Sequence, residues 1–237
     1  MAMVRRAFVI ANEKKPAARA IKKEAWKFLS AQGVRITASS PQLVITVGGD
    51  GTVLFSKKYY GTPFFAIGSS TSFICQAKFS DWRAKLLPAL RNLRTERRLL
   101  LSAAINGQAL PLALNEVGVR NPEPRVISLH LAAGKRHAAF RADGILFSTP
   151  TGSPAYCYSC GGKQMEKTAG NYQAVAIAPF RRLFPPSVFP SGTACTLRIS
   201  GHEKPEIFVD GQVVGALREK DTLVVRESKT KFLFAKA

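Results

Sequence analysis

The apolar positions of the first hundred residues come in two textures. Residues 4–11 (VRRAFVIA), 42–47 (QLVITV) and 63–68 (PFFAIG) are short runs rich in β-branched and aromatic side chains. Runs without a regular polar alternation predict strands covered on both faces, as in a parallel sheet. Between them, residues 16–32 set Ala20, Trp26, Phe28 and Leu29 among lysines and glutamates at roughly helical spacing. Residues 81–98 place Leu86, Leu87, Leu90 and Leu93 on one side in spite of Pro88, which predicts a second long helix. Strand alternating with helix predicts an open, mainly parallel α/β domain over residues 1–98.

After Leu99 the pattern changes to short β-branched or alternating runs divided by turn residues. Asn106 and Gly107 separate two such runs, a hairpin signal, because both central positions of the favoured two-residue turn need positive φ. Further strands are expected at 128–133, 138–141, 145–148, 174–177, 195–200, 207–209 and 222–226, with Pro185, Pro186 and Pro190 marking an irregular connection. Residues 99–215 therefore form a β-rich domain.

Composition bounds the class. The chain has 237 residues, 46% hydrophobic and 21% charged, ordinary for a globular protein with a sizeable core. No apolar run reaches about 18 residues, and the first residues carry charges too early for a signal peptide, so a cytoplasmic protein is expected. Four cysteines, Cys75, Cys157, Cys160 and Cys195, and three histidines give no disulfide framework and no complete metal-ligand set. Cys157 and Cys160 form a lone CxxC, read as small residues packed beside a turn. The net charge of +20, from 35 Lys and Arg against 15 Asp and Glu, attracts anions in general. Its basic residues are scattered and no aromatic-laced RNA motif accompanies them, so nucleic acid is not the expected partner.

Two stretches carry chemistry. In VGGDGTV (47–53) a strand ends in glycines and leads into a helix, an arrangement whose backbone amides suit phosphate oxygens. No Walker lysine follows. Asp50 repels phosphate and is read as a proton acceptor or as a metal contact rather than as a phosphate ligand. In ADGILFSTPTGSPAY (142–156) a carboxylate, several hydroxyls, exposed backbone and an aromatic ring gather as a nucleoside site requires. Asn115 and Glu116, at the end of an apolar run, offer an amide and a carboxylate for a base and a ribose.

Taken together, VGGDGTVL (47–54), LNEV (114–117), RADGILFSTPTGSPAY (141–156) and FVDGQ (208–212) resemble the NAD kinase family, the ATP or polyphosphate NAD kinases. GGDGT alone also occurs in lipid kinases and phosphofructokinases; the TPTGS segment between DG and AY is what distinguishes this family. The resemblance implies an N-terminal α/β domain, a β-rich nucleotide-binding domain, and a segment 216–237 returning toward the first. It implies transfer of a terminal phosphate from ATP or polyphosphate to the 2′-hydroxyl of the adenosine ribose of NAD, giving NADP with Mg²⁺ or another divalent cation. It also implies a homodimer or homotetramer. By similarity Asp50 is the proton acceptor. Asp50, Gly51, Asn115, Glu116, Arg141, Asp143, Thr151, Pro154, Ala155, Tyr156, Cys157, Tyr158, Ser159 and Gln212 then contact NAD, with Gly49, Thr52, Lys58, Phe73 and Asp210 as further candidates. No protein metal ligand is assigned, because Mg²⁺ travels with the phosphate donor. Two departures stand out: GSSTSF (68–73) replaces a glycine-rich GxLGF segment, and Pro154 replaces a threonine. They motivate the alternative of a catalytically inactive NAD(P)-binding relative.

Overall fold

The computed structural model describes residues 3–58 and 61–236. The chain runs β1 (Arg6–Ala11), α1 (Pro16–Ala31), β2 (Arg35–Ile36), β3 (Leu43–Val47), α2 (Asp50–Ser56), β4 (Phe64–Gly68), β5 (Ala77–Lys78), α3 (Trp82–Arg91) and β6 (Thr95–Arg98). It continues with β7 (Leu101–Ile105), β8 (Gln108–Ala109), β9 (Glu116–Arg120), β10 (Ile127–Ala133), β11 (Arg136–Ala142), β12 (Gly144–Ser148) and α4 (Tyr156–Ser159). The remainder is β13 (Asn171–Ile177), β14 (Ser187–Pro190), β15 (Ala194–Ser200), β16 (Glu206–Val209), β17 (Gln212–Ala216), β18 (Leu223–Glu227) and β19 (Phe232–Ala235). Two compact units result. One combines the chain through Arg97 with the stretch from Phe232 onward, and the other spans Arg98–Lys231.

The first unit is built on a sheet ordered β2-β1-β3-β4-β19-β6, with β5 also paired to β4. β1, β3 and β4 run parallel, with Ala7 opposite Leu43 and Val44 opposite Phe64. Every residue of β3 and β4 is buried, as expected for strands covered on both faces. Pro16 opens α1 at a position where its missing N–H costs nothing. The face that α1 buries is Ala18, Ile21, Ala25 and Leu29, while Trp26 is 46% exposed and Ala20 faces water. Of the apolar residues that mark the helix, Leu29 is buried and Phe28 packs half-buried against the core, so the apolar spacing locates the helix while Trp26 lies on its outer face. The second helix is shorter than expected: α3 ends at Arg91, and Thr95–Arg98 is a strand. Leu93 continues the helical spacing, but Asn92 has φ −148° and ψ 83°, which breaks the helix before it.

The second unit holds two antiparallel sheets of six strands, ordered β11-β10-β15-β18-β7-β8 and β14-β13-β12-β9-β16-β17. Their inner faces share one core, which includes Leu101, Val117, Leu129, Phe147, Tyr172, Leu197 and Val225, the sandwich solution for sheets with one apolar face each. The β7–β8 hairpin turns at Asn106 (φ 49°) and Gly107 (φ 86°), as the sequence indicates. The sequence pattern does not reveal β2, β5, β6, β14, β17 and β19; β2 and β5 have two residues each, and β17 alternates too weakly to stand out.

Candidate functional site

In the first unit β3 delivers the chain into Gly48 and Gly49, whose φ angles of 142° and 107° are open to glycine and strained for other residues. A side chain at Gly48 would meet Asn12 Cβ and Thr52 Oγ1, each 2.7 Å from the Cβ position. α2 then starts at Asp50. Its leading amides lack intrahelical acceptors, and an acidic residue in the first turn matches the helix dipole. The Asp50 carboxylate turns away from its own helix. Oδ2 accepts from the amide of Phe73 at 2.8 Å, Oδ1 accepts from the amide of Ile74 at 3.0 Å, and the Cys75 thiol lies 3.5 Å from Oδ1. Burial, reinforced by the Asp50 charge, pushes that thiol up to about 12.

The GSSTSF departure therefore has a structural role. Ser69 Oγ lies 3.0 Å from Thr71 Oγ1 and 3.5 Å from Ser72 Oγ. Lys78 Nζ donates to the Ser72 carbonyl at 2.7 Å. These hydroxyls fold the loop so that its next two amides clamp Asp50. A carboxylate has roughly four lone-pair positions, so the clamp fixes the orientation of Asp50 and leaves it acceptor capacity. Lys58 lies over the Phe55 ring, 4.9 Å from its centroid. Gly51 is exposed at the start of α2, and the Phe73 side chain is 55% exposed. A cation that sequence reasoning missed is Lys15, whose Nζ donates to the Gly48 carbonyl at 3.0 Å. Thirty-three positions separate the two residues, and no spacing rule links them.

The second unit gathers another group of the candidates. β9 and β12 pair with Ser148 opposite Glu116, which sets the LNEV segment beside the turn that follows β12. That turn is tied down on several sides. The Thr149 amide donates to the Asn115 carbonyl at 2.8 Å, Thr149 Oγ1 donates to the Leu114 carbonyl at 2.5 Å, and the Gly152 amide donates to Thr149 Oγ1 at 3.0 Å. A Cβ on Gly152 would fall 2.3 Å from the Asn115 carbonyl oxygen, so only glycine permits this approach. Thr149 and Gly152 are thus positioning residues absent from the sequence-derived set, although both belong to the TPTGS segment.

Asp210 holds the other side. It occupies a β16–β17 turn at φ 50°, followed by Gly211 at φ 76°, the Asp-Gly pattern of a tight hairpin. Its carboxylate accepts from the amides of Leu114 (3.0 Å), Asn115 (2.7 Å) and Glu116 (3.2 Å). Asp210 therefore fixes the backbone of residues 114–116.

Between these clamps, polar atoms are left over. Asn115 Oδ1, Glu116 Oε2 and Thr151 Oγ1 are buried and have no hydrogen-bond partner among the described residues. Burial, then the nearby Asp210 charge, raises the Glu116 carboxyl from 4.5 to about 8. α4 closes over the same place. Tyr156 packs toward Phe208 with ring centroids 6.4 Å apart, Cys157 is buried, and Tyr158 and Ser159 face water. Pro154 and Ala155 are half-buried at the entry to α4. Burial pushes the Cys157 thiol up to about 11 and raises Cys160 as well, so the CxxC pair consists of neutral packed thiols.

Arg141 and Asp143 are not brought to this cluster. They flank the other end of β12, about 14 Å along the strand from Ser148 at ~3.4 Å per residue; Arg141 lies over Phe180 at 5.6 Å. Gln212 is exposed on β17. Among the described residues, no three His, Cys, Asp or Glu side chains gather as a metal-ligand group. No described helix is long and apolar enough to cross a membrane.

Comparison with known proteins places the chain among relatives of one family. The family model described as ATP-NAD kinase C-terminal domain matches residues 114–237. A NAD kinase of Treponema denticola is 32% identical over 98% of this chain and 91% of its own length. One from Nitratidesulfovibrio vulgaris is 33% identical over 85% of this chain and 72% of its own. Among solved structures, yeast NADH kinase complexed with NADH superposes with a TM-score of 0.88 at 18% identity, covering 100% of this chain and 84% of that one. A NAD kinase from Archaeoglobus fulgidus in complex with ATP gives 0.81 at 23% identity, covering 97% and 92%.

Proposed function

Given that the chain belongs to the NAD kinase family, we propose that it transfers the terminal phosphate of ATP to the 2′-hydroxyl of the adenosine ribose of NAD, releasing NADP. One observation carries the assignment of sites. Asn115, Glu116 and Thr151 each present a buried polar atom lacking a partner among the described residues, on segments that Asp210 and Thr149 hold in place. An unpaired buried polar group costs about 1–3 kcal/mol, and a nucleoside with its hydroxyls and base edges supplies the missing partners.

Asp50 takes the proton of the attacking hydroxyl. Its carboxylate is pre-oriented by the Phe73 and Ile74 amides, so orientation is set before substrate arrives. Positioning and charge stabilisation dominate phosphoryl transfer, and a general base adds about 10² to 10⁴ in rate. The divalent cation of this reading is Mg²⁺ held chiefly by the donor phosphates. When bound, that ion would supply positive charge to offset the negative charge on the transferred phosphate. ATP as donor is supported by the ATP complex of the Archaeoglobus fulgidus relative; assembly into a homodimer or homotetramer and residence in the cytoplasm belong to the same proposal.

The test incubates the purified chain with Mg²⁺, NAD and either ATP or polyphosphate and measures NADP. NADP formed with ATP supports the reading. NAD binding without NADP from either donor overturns it in favour of a non-catalytic relative.

A further inference from the structure

The glycine turn has no lysine in its own sequence, yet one reaches it from a separate loop. Lys15 ends the connection between β1 and α1, and its Nζ donates to the Gly48 carbonyl oxygen at 3.0 Å. The approach is fixed by backbone. The Asn12 amide donates to the Val47 carbonyl at 2.8 Å, Asn12 Oδ1 accepts from the Lys14 amide at 3.1 Å, and Pro16 locks the next residue into α1. A Cβ on Gly48 would fall 2.7 Å from Asn12 Cβ, so the glycine lets the β1–α1 loop lie this close to the turn. Beside Gly48 lies Thr52 Oγ1, in a residue only 8% exposed, with no partner among the described residues.

A bare carbonyl at an anion site repels phosphate. An ammonium placed on it reverses the local sign, and the Gly48 bond uses one of its three donors. We propose that Lys15, together with the Thr52 hydroxyl, binds the terminal phosphates of the donor, performing from the β1–α1 loop the work that a P-loop assigns to its own lysine. This rests on the reading that the chain uses ATP. Lys15 is thereby a determinant of donor affinity and leaves NAD affinity untouched.

The experiment compares wild type, K15Q and K15R in steady-state kinetics with ATP and NAD varied separately, beside calorimetric titration of each protein with Mg-ATP. K15Q is expected to raise the KM for ATP and weaken Mg-ATP binding by about tenfold or more, the value of a charge-assisted contact. The KM for NAD stays within about twofold in that case, and K15R recovers part of the loss because it keeps the charge. Unchanged ATP parameters in K15Q, or equal rises for ATP and NAD, overturn the proposal and make Lys15 a loop staple, leaving the kinase reading intact. A wild type that neither binds nor uses ATP overturns the donor reading and this inference together.

Discussion

Replacing Glu116 by glutamine gives the most direct test of the nucleotide cluster, because it removes one titration and keeps the shape. Glu116 is 5% exposed, and burial followed by the Asp210 charge moves its carboxyl from 4.5 to about 8. The folded chain thus holds this proton more tightly than the unfolded chain does. The stabilisation is fully present below about pH 4.5 and is lost as pH rises through about 8. At 1.36 kcal/mol per tenfold, the full span is worth about 5 kcal/mol, and about 2.5 kcal/mol of it falls between pH 6 and pH 9. The glutamine amide of the variant cannot ionise, so the difference between the two proteins reads the titration of residue 116 together with its coupling to Asp210, Cys157 and Cys160. Thermal unfolding of E116Q and wild type across that range should therefore show their Tm difference move by roughly 5–10 °C in favour of the variant at high pH, at 2–4 °C per kcal/mol. Parallel Tm curves from pH 6 to pH 9 would refute the buried-acid reasoning.

Three further outcomes are expected. Asp50→Asn should remove most turnover while NAD binding stays close to wild type by calorimetry; near-normal NADP formation would show that Asp50 is not the base. Asp210→Asn should cost about 3–5 kcal/mol in denaturant unfolding, since a buried charged acceptor of three amides is weakened and donors are left unpaired, and a loss below 1 kcal/mol would contradict the clamp. Gly152→Ala, which puts a methyl against the Asn115 backbone, should weaken NAD binding at least tenfold; unchanged affinity would show that the Asn115 position is irrelevant to the ligand.

How far the sequence could be read depended on whether the determining contact was local. β3, β4 and the Asn106-Gly107 hairpin follow from apolar runs and turn chemistry within a few residues, and the cluster around TPTGS was visible because its polar residues are consecutive. The inward face of α1 is hard to read since burial there depends on small residues, Ala18 and Ala25, that pack beneath the sheet. Asp210 looks like a ligand contact in sequence; its bonds to residues 114–116 span more than ninety positions, and only the β9–β16 pairing brings them together. Lys15 is hidden for the same reason. Arg141 and Asp143 sit within one motif with Thr151, yet an extended strand carries them to its opposite end.

The position of β19 bears on how this molecule comes into being. β19 lies between β4 and β6 in the first sheet, with Phe234 opposite Phe64, so two strands made early in synthesis have no neighbour there until residues 232–235 emerge. On a ribosome adding about 5–20 residues per second, the β-rich unit is complete in sequence while the earlier sheet still has an open seam. An unpaired strand edge invites pairing with other chains. The nascent chain is consequently most exposed to misassembly in the interval before Phe232–Ala235 leaves the exit tunnel, and removing that strand would make the interval permanent.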